Sequence, residues 1–271
     1  YLDNNLEMRG RDAMQAAAQA YFDAFPDLHL DIDRIYVDGS GDARGYRTMM
    51  ATMLAFGLTL MDLQGMAEMF EDIRHHVLSL PVPPWPLAAP DAAAVLRGQA
   101  VFGQQCASCH GVYDGVDRGY PNVTTAPAVV GTDATRALQM GTAEVEWVNA
   151  SWFGADYPMR STQEYLAPAL SGVWATAPYF HNGSVPDLAG VLDSSLRPQK
   201  WKRRGSGAQD YDADRVGWRF DVVTGATTQS TIEGRKTYDT NNTGLSSAGH
   251  IYGDMLSAQE RADVLEYLKT L

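Results

Sequence analysis

Cys106-Ala-Ser-Cys-His110 decides how this chain is read. The two cysteines stand three residues apart, so one helical turn points both sulfurs the same way, and the histidine follows directly. That is the spacing by which haem c is held on two thioethers with an imidazole for its iron. These are the only two cysteines among 271 residues. A disulfide between them would close too short a loop to stabilise much. A zinc half-site would need a second closely spaced Cys/His pair, which this half of the chain does not offer. A thioredoxin-like pair wants a strand before it and a helix opening at the first cysteine, whereas here a helix leads into the motif.

Composition is compatible with haem attachment. A chain with 45% hydrophobic residues can bury one large core or two smaller ones. Its net charge of −12 argues against nucleic acid and against an anionic membrane surface, and favours a partner with a basic docking face. A spanning helix needs about 20 apolar residues, and the longest run, over residues 53–61, is roughly half of that. Haem c is attached outside the cytoplasm in bacteria, so the expected location is periplasmic or otherwise exported. Any export signal is expected to have been removed ahead of Tyr1 or to lie outside this sequence.

Five prolines, Pro81, Pro83, Pro84, Pro86 and Pro90, surround Trp85 within ten residues. So dense a set excludes helix and suggests a stiff, extended connector. The expected organisation is an α+β segment over 1–80, a Pro-rich linker over 81–90 and a haem domain over 91–271. Asp91 is placed to cap a helix in which Leu96, Val101 and Phe102 supply apolar contacts and Gly98 leaves room for another helix. At the far end Ser257 and Glu260 form a capping-box pattern. Val264, Leu265, Leu268 and Leu271 make an apolar stripe there, with Tyr267 beside it. The expected class is mainly α with long loops and short strands.

The order Gly98, Phe102, Cys106 resembles the first helix of class I cytochromes c. The resemblance implies that the two terminal helices cross over the haem edge with Gly98 near Tyr267. Between them, Gly172-Val-Trp-Ala-Thr-Ala-Pro-Tyr-Phe-His-Asn-Gly-Ser-Val-Pro-Asp-Leu188 resembles the signature of the bacterial dihaem cytochrome c peroxidase superfamily. The motifs Arg197-Pro198, Tyr211-Asp212, Val216-Gly217-Trp218, Tyr238-Asp239-Thr240 and Ala248-Gly249-His250-Ile251-Tyr252-Gly253 are similar to the branch of the haem rubber oxygenases. The likeness covers about 97–271 and departs at one point: those relatives carry two haem sites, and this chain has one attachment motif.

The resembled site is the C-terminal, electron-passing haem of the pair, so function turns on the sixth iron ligand. A filled iron favours outer-sphere electron transfer, and an open one favours peroxidase-like or oxygenase-like chemistry. Candidates are His181, His250, Met140, Met159 and Met255. The resemblance implies His250 opposite His110, and it places Trp174, Tyr179 and His181 in the haem surroundings. Met255 is the nearest thioether, equally suited to packing beneath the last helix. Bis-histidine ligation implies a lower reduction potential than a His/Met pair.

Other readings are two-sided. Gly131-Thr-Asp133 suggests a turn and helix start from which Arg136 reaches a propionate or simply water. Trp152 and Trp174 suit the haem wall or the core. Lys200, Lys202, Arg203 and Arg204 suit a solvated loop or an acidic partner. Toward the N-terminus, residues 12–25 read as helix, 28–33 as a strand and 46–80 as a helix rich in methionine. Arg9 to Met14 with Ala24 to Asp33 resembles the opening of SnoaL-like domains. The chain has no room there for the remaining strands, so the segment is either a degenerate SnoaL-like domain or an assembly module completed by a partner subunit, and Asp31 and Asp33 read as a wet face. His75 and His76 point about 100° apart on a helix and do not share a metal. The whole implies a monohaem c-type cytochrome passing single electrons within, or to, a larger redox assembly.

Overall fold

The computed structural model describes residues 84–271 apart from 114–118, 139–141, 151–159, 161 and 229, together with residues 65, 66, 68, 69, 72, 75 and 76. Apart from those seven residues, the α+β segment over 1–80 lies outside the described residues, as do Met140, Met159 and Trp152. His75 and His76 are exposed helical residues.

Helix α1 spans Ala92–Gln105, and Asp91 caps it by accepting the Ala94 N–H at 2.7 Å. The last helix, α7, spans Ala258–Leu268 and opens on the capping box that its sequence suggests, with Ser257 and Glu260 exchanging hydrogen bonds. The two helices pack together, and the contact is made possible by a missing side chain. A Cβ on Gly98 would overlap the Asp263 carbonyl. At the crossing, Gly98 lies against the turn of α7 that precedes Tyr267. Gly98 meets the Asp263–Val264 backbone, and Tyr267 meets Phe102 with ring centroids 5.3 Å apart. Beside the crossing, Arg97 grips Asp263 with two hydrogen bonds of 2.7 and 2.8 Å. Phe102, Val264, Tyr267, Leu268 and Leu271 join one buried core. Leu96, expected to pack, is instead 68% exposed.

Helix α2, Ala107–His110, follows α1 directly, and α3, Pro127–Val130, starts on a proline whose missing N–H costs a first turn nothing. Helix α4 spans Thr142–Asn149, and strands β1, Thr124–Thr125, and β2, Tyr165–Leu166, pair antiparallel. Helix α5, Leu188–Leu192, is capped by Asp187. A three-stranded antiparallel sheet then places β3, Lys200–Arg203, between β6, Phe220–Val222, and β7, Thr237–Asp239; α6, Ile232–Arg235, immediately precedes β7. β4, Tyr211–Asp212, and β5, Gly217–Trp218, form a separate hairpin pair.

Two local expectations change here. The basic run read as a solvated loop is the central strand of a sheet, anchored by buried Trp201, whose ring stacks on Tyr238 at 5.5 Å. The segment after Gly131 is a turn and not a helix start, with Asp133 accepting from the Thr135 N–H at 2.8 Å. Helix and strand are thus mixed among the described residues, where the sequence suggests a mainly α domain. No helix among them is long and apolar enough to cross a membrane.

The signature segment is core. Tyr179 is buried, with its hydroxyl donating toward Val173 O at 3.0 Å and Val216 O at 3.3 Å. Asp187 is buried against Arg215 at 2.6 Å; burial pushes its carboxyl up, and the guanidinium pulls it back. Removing one partner of such a pair strands a buried charge. Arg215→Ala is expected to cost about 3 kcal/mol in urea unfolding, with much of it recovered in the Arg215→Ala/Asp187→Asn pair. Equal losses for the single and double variants would refute this coupling.

Candidate functional site

Helix α1 delivers Cys106 as its last capping residue, and the break in helix geometry there turns Cys109 and His110 onto α2. The His110 N–H donates to Cys106 O at 3.0 Å. Gly111, at φ +87, turns the chain away in the left-handed region, where a Cβ would press on Gly119 O. Neither cysteine is in a disulfide. Burial pushes the Cys106 thiol up to about 11, with Cys109 adding to it. Among the described residues there is no cluster of three His, Cys, Asp or Glu placed to hold a metal ion.

His110 is oriented from behind. Its Nδ1–H donates to the Pro168 carbonyl at 2.8 Å, which fixes the tautomer and leaves Nε2 with its lone pair. The Tyr113 hydroxyl donates to His110 O at 2.9 Å and accepts the Leu170 N–H. Burial lowers the affinity of His110 for a second proton, and the Pro168 bond partly opposes this.

His250 faces it. The two imidazole centroids are 6.1 Å apart with their planes at 68°. Two metal–imidazole bonds of about 2 Å each, plus half a ring on either side, sum to roughly 6 Å. The Nδ1 of His250 is buried with no hydrogen-bond partner, and so is Nε1 of Trp174. Burial pushes His250 down to about 4, with His110 and Arg197 acting the same way, so one ring nitrogen carries a lone pair at neutral pH. An iron porphyrin fits this arrangement: two sulfurs three residues apart, two facing neutral imidazoles, and a buried indole donor lacking an acceptor.

His250 owes its place to backbone. Its N–H donates to Val130 O at 2.9 Å, at the end of α3, and it adopts the left-handed φ of +47. Gly249, at φ +82, lies so close to Gly131 that a Cβ would stand 2.5 Å from the Gly131 carbonyl carbon. Phe180 and Tyr252 flank the His250 ring at 5.8 and 5.2 Å. Arg197 ties down the carbonyls of the same loop.

Met255 is 92% exposed. His181 stacks on Tyr165 at 4.1 Å, and its carbonyl accepts from Arg136 at 3.1 Å, which occupies one of the guanidinium donors. Trp174 is half-buried and meets Trp85 edge-on at 5.5 Å. Tyr179 is committed to the core. Sequence reasoning missed Arg197, Pro168 and Gly249 as parts of the site. The only signals for them were an Arg-Pro pair inside a family motif and a glycine just before the histidine.

Comparison with known proteins agrees. Residues 95–171 match the family described as cytochrome c, and residues 164–202 match that described as RoxA-like, cytochrome c-like. An uncharacterized Sinorhizobium fredii protein, y4iM, is 28% identical over 66% of this chain and 49% of its own length. A second from that organism, y4iJ, is 35% identical over 40% of this chain and 18% of its own. The chain thus spans about half the length of the first relative and under a fifth of the second. A cytochrome c domain implies covalently bound haem c and a haem-based redox function. With the cysteine pair inside one match and the signature turn inside the other, the two matches are consistent with a c-type cytochrome of the RoxA-like superfamily.

Proposed function

We propose that this protein is a monohaem c-type cytochrome that passes single electrons, with haem c on Cys106 and Cys109 and its iron held between His110 and His250. The observation that carries the reading is the pair of half-buried imidazoles facing each other at 6.1 Å beside the two cysteines. When bound, the haem supplies an iron that alternates between ferrous and ferric. His110, braced by Pro168, and His250, braced by backbone on α3, hold fixed positions in either state, which keeps the reorganisation on transfer small. Two neutral imidazoles stabilise the ferric form relative to a thioether ligand. The buried Trp174 N–H is suited to a propionate. The acidic surface, net −12, suits a basic redox partner, consistent with work inside a larger assembly in the periplasm.

The test is spectroscopic. The haem-loaded protein should be low-spin and six-coordinate, with a potential below that of His/Met cytochromes. His250→Ala should become high-spin at neutral pH and take up carbon monoxide and cyanide. A His250→Ala protein that stays low-spin would exclude His250 as the ligand. A wild type that binds these ligands readily and turns over peroxide with an electron donor would favour the peroxidase-like or oxygenase-like alternative.

A further inference from the structure

Arg197 is the half-buried cation beside the proposed distal ligand, and no carboxylate accepts a hydrogen bond from it among the described residues. Its guanidinium is spent on carbonyls. Nε donates to Gly190 O at 2.7 Å, and one terminal nitrogen donates to Ser247 O at 2.8 Å and Gly249 O at 2.7 Å. The other terminal nitrogen reaches His250 O at 3.1 Å and, more weakly, Val191 O at 3.4 Å. Two of these acceptors belong to α5 and three to the loop that ends in His250. The face of the guanidinium lies 4.9 Å from the Phe180 ring centroid, and Phe180 in turn packs on the His250 imidazole.

A buried charge is costly unless something requires it, and five carbonyls around one planar fork is an arrangement that only arginine satisfies. Asp193 and Asp254 act on it only through space and support its charge. The loop it holds contains Gly249 and His250, both at positive φ, a backbone that the surrounding structure must over-determine to keep.

We propose that Arg197 is the positioning residue of the distal face: by pinning the carbonyls of 247, 249 and 250 to α5 it keeps His250 opposite His110, and loosening this tether opens the site. The proposal rests on His250 being the second axial ligand. Its place in the mechanism is to set how firmly that face is closed, which decides whether small ligands reach the iron.

Haem-loaded Arg197→Gln and Arg197→Lys are compared with wild type, His250→Ala and Arg215→Lys, the last perturbing a buried ion pair that does not touch the His250 loop. Arg197→Gln should show a high-spin fraction, with carbon monoxide association to the reduced protein about tenfold faster or more. Added imidazole should restore its low-spin spectrum, and Arg197→Lys, with three donors for five acceptors, should fall between. Hydrogen exchange of the His250 amide, bonded to Val130 O, should quicken in step. Arg215→Lys should keep the wild-type spectrum even at an equal loss of melting temperature. Arg197→Gln with the wild-type spectrum and association rate would overturn the proposal, and so would an equal loss of low-spin signal in Arg215→Lys. A wild type that is not six-coordinate, or that His250→Ala leaves unchanged, would instead overturn the ligand assignment beneath it, before any Arg197 variant is read.

Discussion

Gly98→Ala is expected to destabilise the protein, whereas Gly103→Ala, five residues further along the same helix, is expected to stabilise it. The chemistry of the two changes is identical, so the difference isolates what the added methyl meets. At Gly103 a Cβ meets nothing within 4 Å, and replacing an exposed helical glycine by alanine gains up to about 1 kcal/mol through the unfolded chain. At Gly98 the same methyl would overlap the Asp263 carbonyl and stand within 2.9 Å of the Val264 nitrogen. Those are backbone atoms of a packed helix and cannot rotate aside, so α7 must retreat from α1 along a contact that also carries Phe102, Tyr267 and the Arg97–Asp263 pair. Overpacking of this kind costs about 3 kcal/mol, which for a domain of this size lowers the melting temperature by roughly 10 °C. Thermal unfolding of the two variants side by side checks it, and a Gly98→Ala protein that melts with or above wild type would show that the helix crossing is loose.

The second large effect is on coordination. Gly249→Ala should lose the low-spin spectrum proposed for the wild type, while Gly131→Ala, its neighbour across the contact, should keep it. Both glycines have positive φ, +82 and +77, so each substitution carries the left-handed penalty of about 1 to 2 kcal/mol. Only at Gly249 does the new methyl also strike backbone, 2.5 Å from the carbonyl carbon of Gly131 and from the Thr132 nitrogen; on Gly131 it would lie at an ordinary 3.4 Å from the Gly249 Cα. Relief of the Gly249 clash moves the residue that precedes His250, and the bond from His250 N–H to Val130 O is the first to yield. Absorption spectra of both variants at neutral pH decide between a displaced ligand and simple loss of stability. Equal behaviour of the pair would mean that the backbone contact does not place the imidazole.

What was legible in the sequence was what side chains announce. Cys106, Cys109 and His110 are read from spacing, and Asp91, Ser257 and Glu260 from capping chemistry, and each cap forms as its residues suggest. His250 was visible through resemblance. What holds it was not, because carbonyls carry no sequence signal: any residue at 190, 247 or 249 presents the same oxygen to Arg197. The strand at Lys200–Arg203 was missed for a related reason. It buries only Trp201, so no alternation of apolar and polar residues betrays it, and its register comes from β6 and β7. Leu96 was assigned to the core because helical periodicity tells which residues share a face, and not how far the partner helix extends along it.

The Pro-rich stretch has a role beyond spacing. Trp85 sits edge-on against Trp174 and Tyr211 with the Lys269 ammonium 5.5 Å from its ring, and the Asp91 N–H donates to Glu266 at 3.0 Å. Leu271 O in turn accepts the Gly172 N–H at 2.7 Å. Residues 85–91 and 266–271 are therefore moored at one corner, on the same few aromatic and charged groups. A module whose two ends meet can be spliced into a longer polypeptide as a closed loop, its neighbours joining across the seam without disturbing the interior.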